Sequence, residues 1–297
     1  MKKITNKIIF TIITCASIIS VASLTKTHAQ EINRNDLTAY KTDMSSIENE
    51  TNIRTASEEI TIVGTWDVSK NGDGSVTATL TSDGTLTIRG TGEIKSYSAS
   101  GAPYYNNKEN IKSVKIEEGV KNIGNYAFCD YIYLTSIEIS DSVTGIGDYA
   151  FYGCSNLTSV VIPDSVINIG NSAFYRCTYL TSAEIGNGLT SIGDYAFADN
   201  KISSVTLSNG LETIGISAFA QNQLANIIIP SSVNDIYTNA LYKDSDSNPN
   251  LTKIINKTEK VFDWGNIINH SGVSTNTYNF VTGTVKASFG NVEVTSE

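Results

Sequence analysis

Over residues 60–92, apolar and polar positions alternate: Thr61-Ile62-Val63, Trp66-Asp67-Val68, Val76-Thr77-Ala78-Thr79-Leu80 and Leu86-Thr87-Ile88. A period of two marks strands with one buried face. Asn71-Gly72-Asp73-Gly74 and Ser82-Asp83-Gly84 supply turns between them, so residues 60–110 are predicted to form a β-meander, with Asp83-Gly84 in a tight hairpin. Residues 71–74 also resemble a fragment of a calcium loop. They lack the further carboxylates that such a loop needs, and a plain turn is the preferred reading.

A longer period starts at Ile111. The glycines of the Ile-Gly pairs, Gly124, Gly147, Gly170, Gly193 and Gly215, recur at steps of 23, 23, 23 and 22. Ala127-Phe128, Ala150-Phe151, Ala173-Phe174, Ala196-Phe197, Ala218-Phe219 and Ala240-Leu241 keep the same beat. So do the openings Leu134-Thr135-Ser136, Leu157-Thr158-Ser159, Leu180-Thr181-Ser182, Ile202-Ser203-Ser204 and Leu224-Ala225-Asn226. Six units result, at 111–133, 134–156, 157–179, 180–201, 202–223 and 224–250, with a seventh half-unit opening at Leu251. A short, regular period means a solenoid, in which each coil buries its apolar side against its neighbours. The fold class predicted is mainly β: about six coils of 22–23 residues over 111–270, preceded by the small meander.

One unit shows the physics. In Leu157-Thr158-Ser159-Val160-Val161-Ile162, the first, fourth and sixth residues turn inward and the others face solvent, giving a strand parallel to that of the next coil. Pro163-Asp164-Ser165 turns the chain, and Val166 with Ile169 form an inward pair on the opposite wall. Gly170 is expected to take a tight or left-handed bend, Ala173 to let coils approach, and Phe174 to fill the centre. Phe128, Phe151, Phe174, Phe197 and Phe219 should then stack as an aromatic spine. Three residues beyond each Phe stand Tyr131, Cys154, Cys177, Asn200 and Asn222, where small Cys and Asn are suited to satisfy loop backbone groups. Cys154 and Cys177 are therefore read as stacked core fillers and Cys129 as lying elsewhere, with a disulfide as the alternative.

Leu-Thr-Ser-Val-Val-Ile-Pro-Asp-Ser-Val at 157–166, followed by Ile-Gly-x-x-Ala-Phe-x-x-Cys at 169–177, resembles the BspA-like, treponemal-type leucine-rich repeat family. The resemblance runs from Ile111 to about Ile268. Upstream, Trp66 and residues 83–92 look like the β-segment that often precedes such repeats; downstream, residues 251–264 are similar to a closing repeat. It implies a curved leucine-rich repeat solenoid in an exported or surface protein, often an adhesin or host-interaction module, and it brings no catalytic residues. The chain departs from the pattern at residues 244–248, an insertion of roughly four residues, and at Tyr237, where Gly is expected. Both suggest an irregular sixth coil. Alternation at Val281, Val285, Phe289, Val292 and Val294 suggests a terminal hairpin or edge-covering strand within 271–297.

The N-terminus adds an address. The first 29 residues hold Lys2, Lys3, Lys7 and Lys26 and no carboxylate, residues 8–24 are apolar and uncharged, and Thr27-His28-Ala29 places small residues at −3 and −1. A signal peptide cleaved after Ala29 is expected, followed by a flexible linker over 30–59. A retained anchor is the alternative, since an apolar run of about 17 residues is near the lower limit for a bilayer. Cys15 lies midway through that run behind Thr14, which does not suit lipidation. The expected product is secreted or held at the cell surface, with no membrane span after cleavage.

Charge and histidine content narrow the function. Removing four lysines takes Lys+Arg from 21 to 17 against 30 acids, so the net charge goes from −9 to −13. Such a chain repels phosphate backbones, and no nucleic acid partner is expected. His28 and His270 are the only histidines, and His270 lies beyond the last repeat, so no enzyme and no cofactor are expected. Asp244-Ser245-Asp246-Ser247-Asn248 alternates hard oxygen ligands and is a conceivable calcium loop; a solvated loop is the other reading. Binding is then carried by the outward strand columns. The first reads Ser113, Ser136, Ser159, Ser182, Ser204, Asn226; the second reads Lys115, Glu138, Val161, Glu184, Thr206, Ile228. The candidate ligand-binding face is Ser136, Glu138, Ser159, Val161, Ser182, Glu184, Ser204, Thr206, Asn226 and Ile228, an extended surface suited to an extracellular protein or glycan. The competing class is a non-catalytic spacer of the cell envelope.

Overall fold

The computed structural model describes residues 59–243, 247–258, 260, 262–268, 286–289 and 292–296. The expected signal, the linker up to residue 58, His270, Asp244 and Asp246 lie outside them. The chain divides into the units Met1–Glu59 and Ile60–Glu297, and every element below belongs to the second.

β1 (Ile62–Asp67), β2 (Val76–Thr81) and β3 (Thr85–Gly90) form an antiparallel meander. Its alternation buries Val76, Ala78, Leu80, Leu86 and Ile88 completely. In the turn after β1, the Asp67 carboxylate accepts from the Ser69 and Gly74 N–H groups at 2.9 and 3.2 Å, and Asp73 accepts from the Ser75 N–H at 3.0 Å. The Ser69 and Ser75 hydroxyls on Asp67 and Asp73, and after them these backbone bonds, favour the charged form and hold both carboxyls below the usual range. The acidic groups of the turn thus stabilise its own backbone.

β3 also pairs in parallel with β5 (Ser113–Ile116), and β4 (Gly92–Glu93) pairs in parallel with β6 (Val120–Ile123). Parallel stacking therefore opens at Thr85, one coil ahead of Ile111, where the repeat becomes legible. In that first coil Tyr104 takes the place of the Phe, and its ring stacks on Phe128 at 5.9 Å while its hydroxyl donates to the Ala127 carbonyl. The 3-10 stretch Tyr105–Asn110 lengthens the coil and breaks the period.

Two walls enclose the core. One holds β5, β7 (Ser136–Ile139), β9 (Ser159–Ile162), β11 (Ser182–Ile185), β13 (Val205–Thr206), β15 (Asn226–Ile229) and β17 (Lys253–Asn256). The other is an all-parallel sheet of β4, β6, β8 (Gly145–Ile146), β10 (Asn168–Ile169), β12 (Ser191–Ile192), β14 (Thr213–Ile214) and β16 (Asp235–Ile236), in that spatial order. Between them the rings of Phe128, Phe151, Phe174, Phe197 and Phe219 stack at centroid distances of 5.1, 5.1, 5.2 and 5.5 Å, all fully buried. The spacing follows that of parallel strands, about 4.8 Å, because each ring sits over its equivalent one coil away.

The expectation for Gly170 is corrected. A column of left-handed residues lies two positions beyond each glycine, at Tyr126, Tyr149, Ser172, Tyr195 and Ser217, and two beyond Tyr237 at Asn239, with φ of 53–58°. Their N–H groups donate to carbonyls of the following coil, as Ser172 does to Asp194 at 2.7 Å. Gly170 itself is needed for close approach, since a Cβ there would lie 2.6 Å from the Asp148 nitrogen of the preceding coil.

From Phe151 onward, the third position after each Phe is a hydrogen-bonded column; the Tyr131 hydroxyl, three beyond Phe128, has no partner among the described residues. The Cys154 and Cys177 thiols donate to the carbonyls of Phe128 and Phe151, and the Asn200 and Asn222 amides to those of Phe174 and Phe197. All three described cysteines are free and buried, and burial pushes the Cys154 and Cys177 thiols well above the ordinary range. The insertion in the sixth coil delivers Asn248 into the same column, where its amide donates to Phe219. β17 is followed by the short α1 (Trp264–Ile268); β18 (Lys286–Phe289) and β19 (Val292–Ser296) make an antiparallel hairpin, and β19 pairs in parallel with β17. Val292 and Val294 are buried there.

Candidate functional site

Strand pleating decides which side chains reach solvent. In β9, Val160 and Ile162 are buried while Ser159 and Val161 are exposed, and β11 and β15 repeat this alternation. All ten candidate residues are exposed. Val161 is 58% and Ile228 45% exposed.

The face is nevertheless not one continuous ladder. Hydrogen-bonded pairing joins β5 to β7, then β9 to β11 and β13, then β15 to β17, with interruptions between β7 and β9 and between β13 and β15. At the interruptions the inward residues Ile137, Ile139 and Val205 are only half buried, so the strands on either side do not close tightly. Three segments result. In the first, Ser136 lies beside Ser113, and Glu138 makes an exposed ion pair with Lys115 at 3.6 Å. In the second, Ser182 lies beside Ser159, and Val161, Glu184 and Thr206 lie side by side, with Ser204 just ahead of β13. In the third, Asn226 and Ile228 lie beside Lys253 and Ile255.

Beside the middle segment is a groove of about 580 Å³ lined by Asp141, Val161, Pro163, Asp164, Glu184 and Ile185. Asp141 and Asp164 come from the turns that follow the strands, a column that the strand-face reading did not include. Asp164 accepts from the Asn187 N–H at 2.7 Å and so also fixes the next turn. Among the described residues, no Lys or Arg forms an ion pair with Asp141, Asp164 or Glu184.

A second surface carries tyrosines. Tyr126 stacks on Tyr149 at 4.7 Å, Tyr152 meets Tyr175 edge-on at 5.5 Å, and Tyr175 meets Tyr195 at 6.0 Å. Arg176 lies over the Tyr175 ring and pairs with Asp199 at 3.3 Å. The sequence signal was present: Tyr recurs two residues after Gly and one residue after Phe. Asn248 of the conceivable calcium loop is occupied, its carbonyl accepting from the Leu224 N–H and its amide donating to Phe219 and Tyr242.

A family model described as "BspA type Leucine rich repeat region (6 copies)" matches residues 100–209 and 144–267. No curated protein matches the chain. Among solved structures, the chain is similar to a leucine-rich repeat protein from Eubacterium ventriosum, at 20% identity and a TM-score of 0.33, covering 66% of this chain and 73% of that one. It is also similar to a leucine rich cell surface protein from Faecalibacterium prausnitzii, at 28% identity and a TM-score of 0.41, covering 65% of this chain and 56% of that one. A third is a leucine rich repeat protein from T. pallidum, at 22% identity and a TM-score of 0.38, covering 62% and 69%. The chain thus spans little more than half of the F. prausnitzii protein.

Proposed function

The chain belongs to the BspA-type leucine-rich repeat family, and from that premise we propose that it is an exported binding module that holds an extracellular protein or glycan through the exposed wall of strands. Residues 1–29, with their basic start, apolar run and small-x-Ala exit, are the route out of the cell in this reading. The observation that carries it is the exposure of Val161 and Ile228 at 58% and 45% on strands β9 and β15, whose inward residues are buried. These aliphatics contribute nothing to the core from there: Val161 stands beside the Glu184 carboxylate and Ile228 beside Ile255. Such a mixed, extended surface suits contact with a macromolecule. Its role is contact, not catalysis.

The test is a combined Val161→Asp, Glu184→Lys and Ile228→Asp variant, with an unchanged circular dichroism spectrum as the control. Pull-down from extracellular matrix and envelope fractions first finds a saturable partner. The variant is expected to bind it at least about tenfold more weakly, the equivalent of about 1.4 kcal/mol. Full retained affinity removes the strand face from consideration and moves attention to the tyrosine surface.

A further inference from the structure

The rings of the tyrosine surface form an unbroken chain. Tyr126 stacks on Tyr149 at 4.7 Å, Tyr149 lies 5.8 Å from Tyr152, Tyr152 lies 5.5 Å from Tyr175, and Tyr175 lies 6.0 Å from Tyr195. Ser172 takes the tyrosine position in the middle coil, and Tyr152 and Tyr175 of the neighbouring column carry the chain past it. None of the five tyrosines is buried. Directly before that column stand Asn125, Asp148, Asn171 and Asp194. Each commits its Oδ1 to the next coil, accepting from the Asp148, Asn171, Asp194 and Ile216 N–H groups at 2.7–2.9 Å. The second terminal atom of each side chain makes no hydrogen bond among the described residues. Along the stack these atoms alternate: an Nδ2 donor at Asn125, an Oδ2 acceptor at Asp148, a donor at Asn171, an acceptor at Asp194. Among the described residues, no Lys or Arg forms an ion pair with either carboxylate.

We propose that this strip binds a neutral, extended, equatorially linked pyranose chain of cellulose or chitin type, laid along the stack with about one sugar ring per coil. A pyranose has an apolar C–H face that can cover an aromatic ring, and a rim of hydroxyls that each donate and accept. Such a rim matches a ladder in which donors and acceptors alternate. Registry selects the same partner. The coils repeat at about 4.8 Å, and an equatorially linked chain advances by nearly that length per ring. An extended peptide repeats its outward face every two residues, about 6.8 Å, and falls out of step within two coils. Charge excludes other polymers: the two unpaired carboxylates and the net −9 repel nucleic acid, anionic membrane and acidic polysaccharide. The rings hold one another in place, so little side-chain freedom is lost on binding. The strip shares no residue with the strand face, and its binding does not depend on that face.

The experiment is titration calorimetry of the purified chain with cellohexaose and with N-acetylchitohexaose, which separate a glucan source from a chitin source. Maltohexaose, whose axial linkages curl the chain, is the control. At least one of the first two should bind, and maltohexaose at least about tenfold more weakly. A Tyr149→Ser, Tyr195→Ser variant removes two ring faces and should weaken binding by about tenfold or more. Serine already stands in this column at Ser172 and Ser217, both at φ 53°, so the circular dichroism of the variant should match that of the parent. Tyr149→Phe, Tyr195→Phe keeps the rings and should keep most of the affinity. The Val161→Asp, Glu184→Lys, Ile228→Asp variant should bind the hexamer like the parent, which separates this strip from the strand face. No binding of either equatorially linked hexamer, equal binding of maltohexaose, a serine variant that binds like the parent, or a phenylalanine variant as weak as the serine one overturns the proposal.

Discussion

Cys154, Cys177, Asn200, Asn222 and Asn248 share one column, and the length of the neighbouring turn decides which residue fits. Leu157 and Leu180 lie six residues beyond their Phe, whereas Ile202 and Leu224 lie five beyond theirs. In the longer turns the strand-opening N–H finds a local carbonyl: Leu157 donates to Cys154 at 3.0 Å and Leu180 to Cys177 at 2.7 Å. In the shorter turns it reaches the amide oxygen of the following coil: Ile202 donates to Asn222 Oδ1 and Leu224 to Asn248 Oδ1, both at 3.0 Å. A thiol is a weak acceptor and could not replace that oxygen. Asn200 faces the longer turn of Leu180, and its buried Oδ1 has no partner. Asn222→Cys should therefore strand the Ile202 N–H and cost about 1–3 kcal/mol, while Asn200→Cys removes an orphan and stays within about 1 kcal/mol of neutral. Thermal midpoints of the two variants check this, and equal losses would refute it. The shared column and the shortened unit were both legible in the sequence. Their connection was not, because the acceptor belongs to another coil.

At the scale of the element, the glycine column departs from its expected role for a definite reason. Glycine is the usual residue for a left-handed bend, so the column predicts that bend at the glycine itself. In a stack, however, the backbone of one coil lies directly over the next, and the missing Cβ serves contact. The bend falls two residues later, at Tyr149 or Ser172, where a non-glycine residue costs roughly 1–2 kcal/mol. Between the two positions runs a ladder of amides and carboxylates. The Asp148, Asn171, Asp194 and Ile216 N–H groups donate to Oδ1 of Asn125, Asp148, Asn171 and Asp194 at 2.7–2.9 Å. The Asn/Asp column after each glycine was the clue available in the sequence. The Phe128–Phe219 spine, by contrast, was legible, because a fully apolar ring recurring beside an alanine at the period of the coil is placed in the core, whereas the tyrosines at the same period, Tyr126, Tyr149 and Tyr195, stay at least partly exposed. Phe174 stacks at 5.1 Å on Phe151 and at 5.2 Å on Phe197. Phe174→Ala should cost about 3–5 kcal/mol, read from the unfolding midpoint, and a midpoint equal to wild type would contradict the stacking.

Across the whole molecule, the two walls differ in continuity. The wall that runs from β4 to β16, built of two-residue strands apart from β6, is unbroken, while the strand face is interrupted twice. The apolar pattern of β7 matches that of β9, so the sequence held no sign that Ile137 and Ile139 would be half buried. The meander also shares its sheet with β5 and β7, which makes it the first layers of the stack. On the unbroken wall, Gly145 pairs with Asn168 and Asn168 with Ser191, each one whole unit apart. Each coil touches chiefly its neighbours, so stability is close to a sum over coils and interfaces. Excision of residues 157–179 should then bring Phe151 onto Phe197 and Leu180 into the place of Leu157. Circular dichroism and a cooperative melt should show a shorter folded protein, whereas excision of 160–179, out of step with the period, should give none. The same arithmetic governs heredity. Gain or loss of one whole unit can lengthen or shorten the outer face by one coil at a time, and no generation need invent a new core.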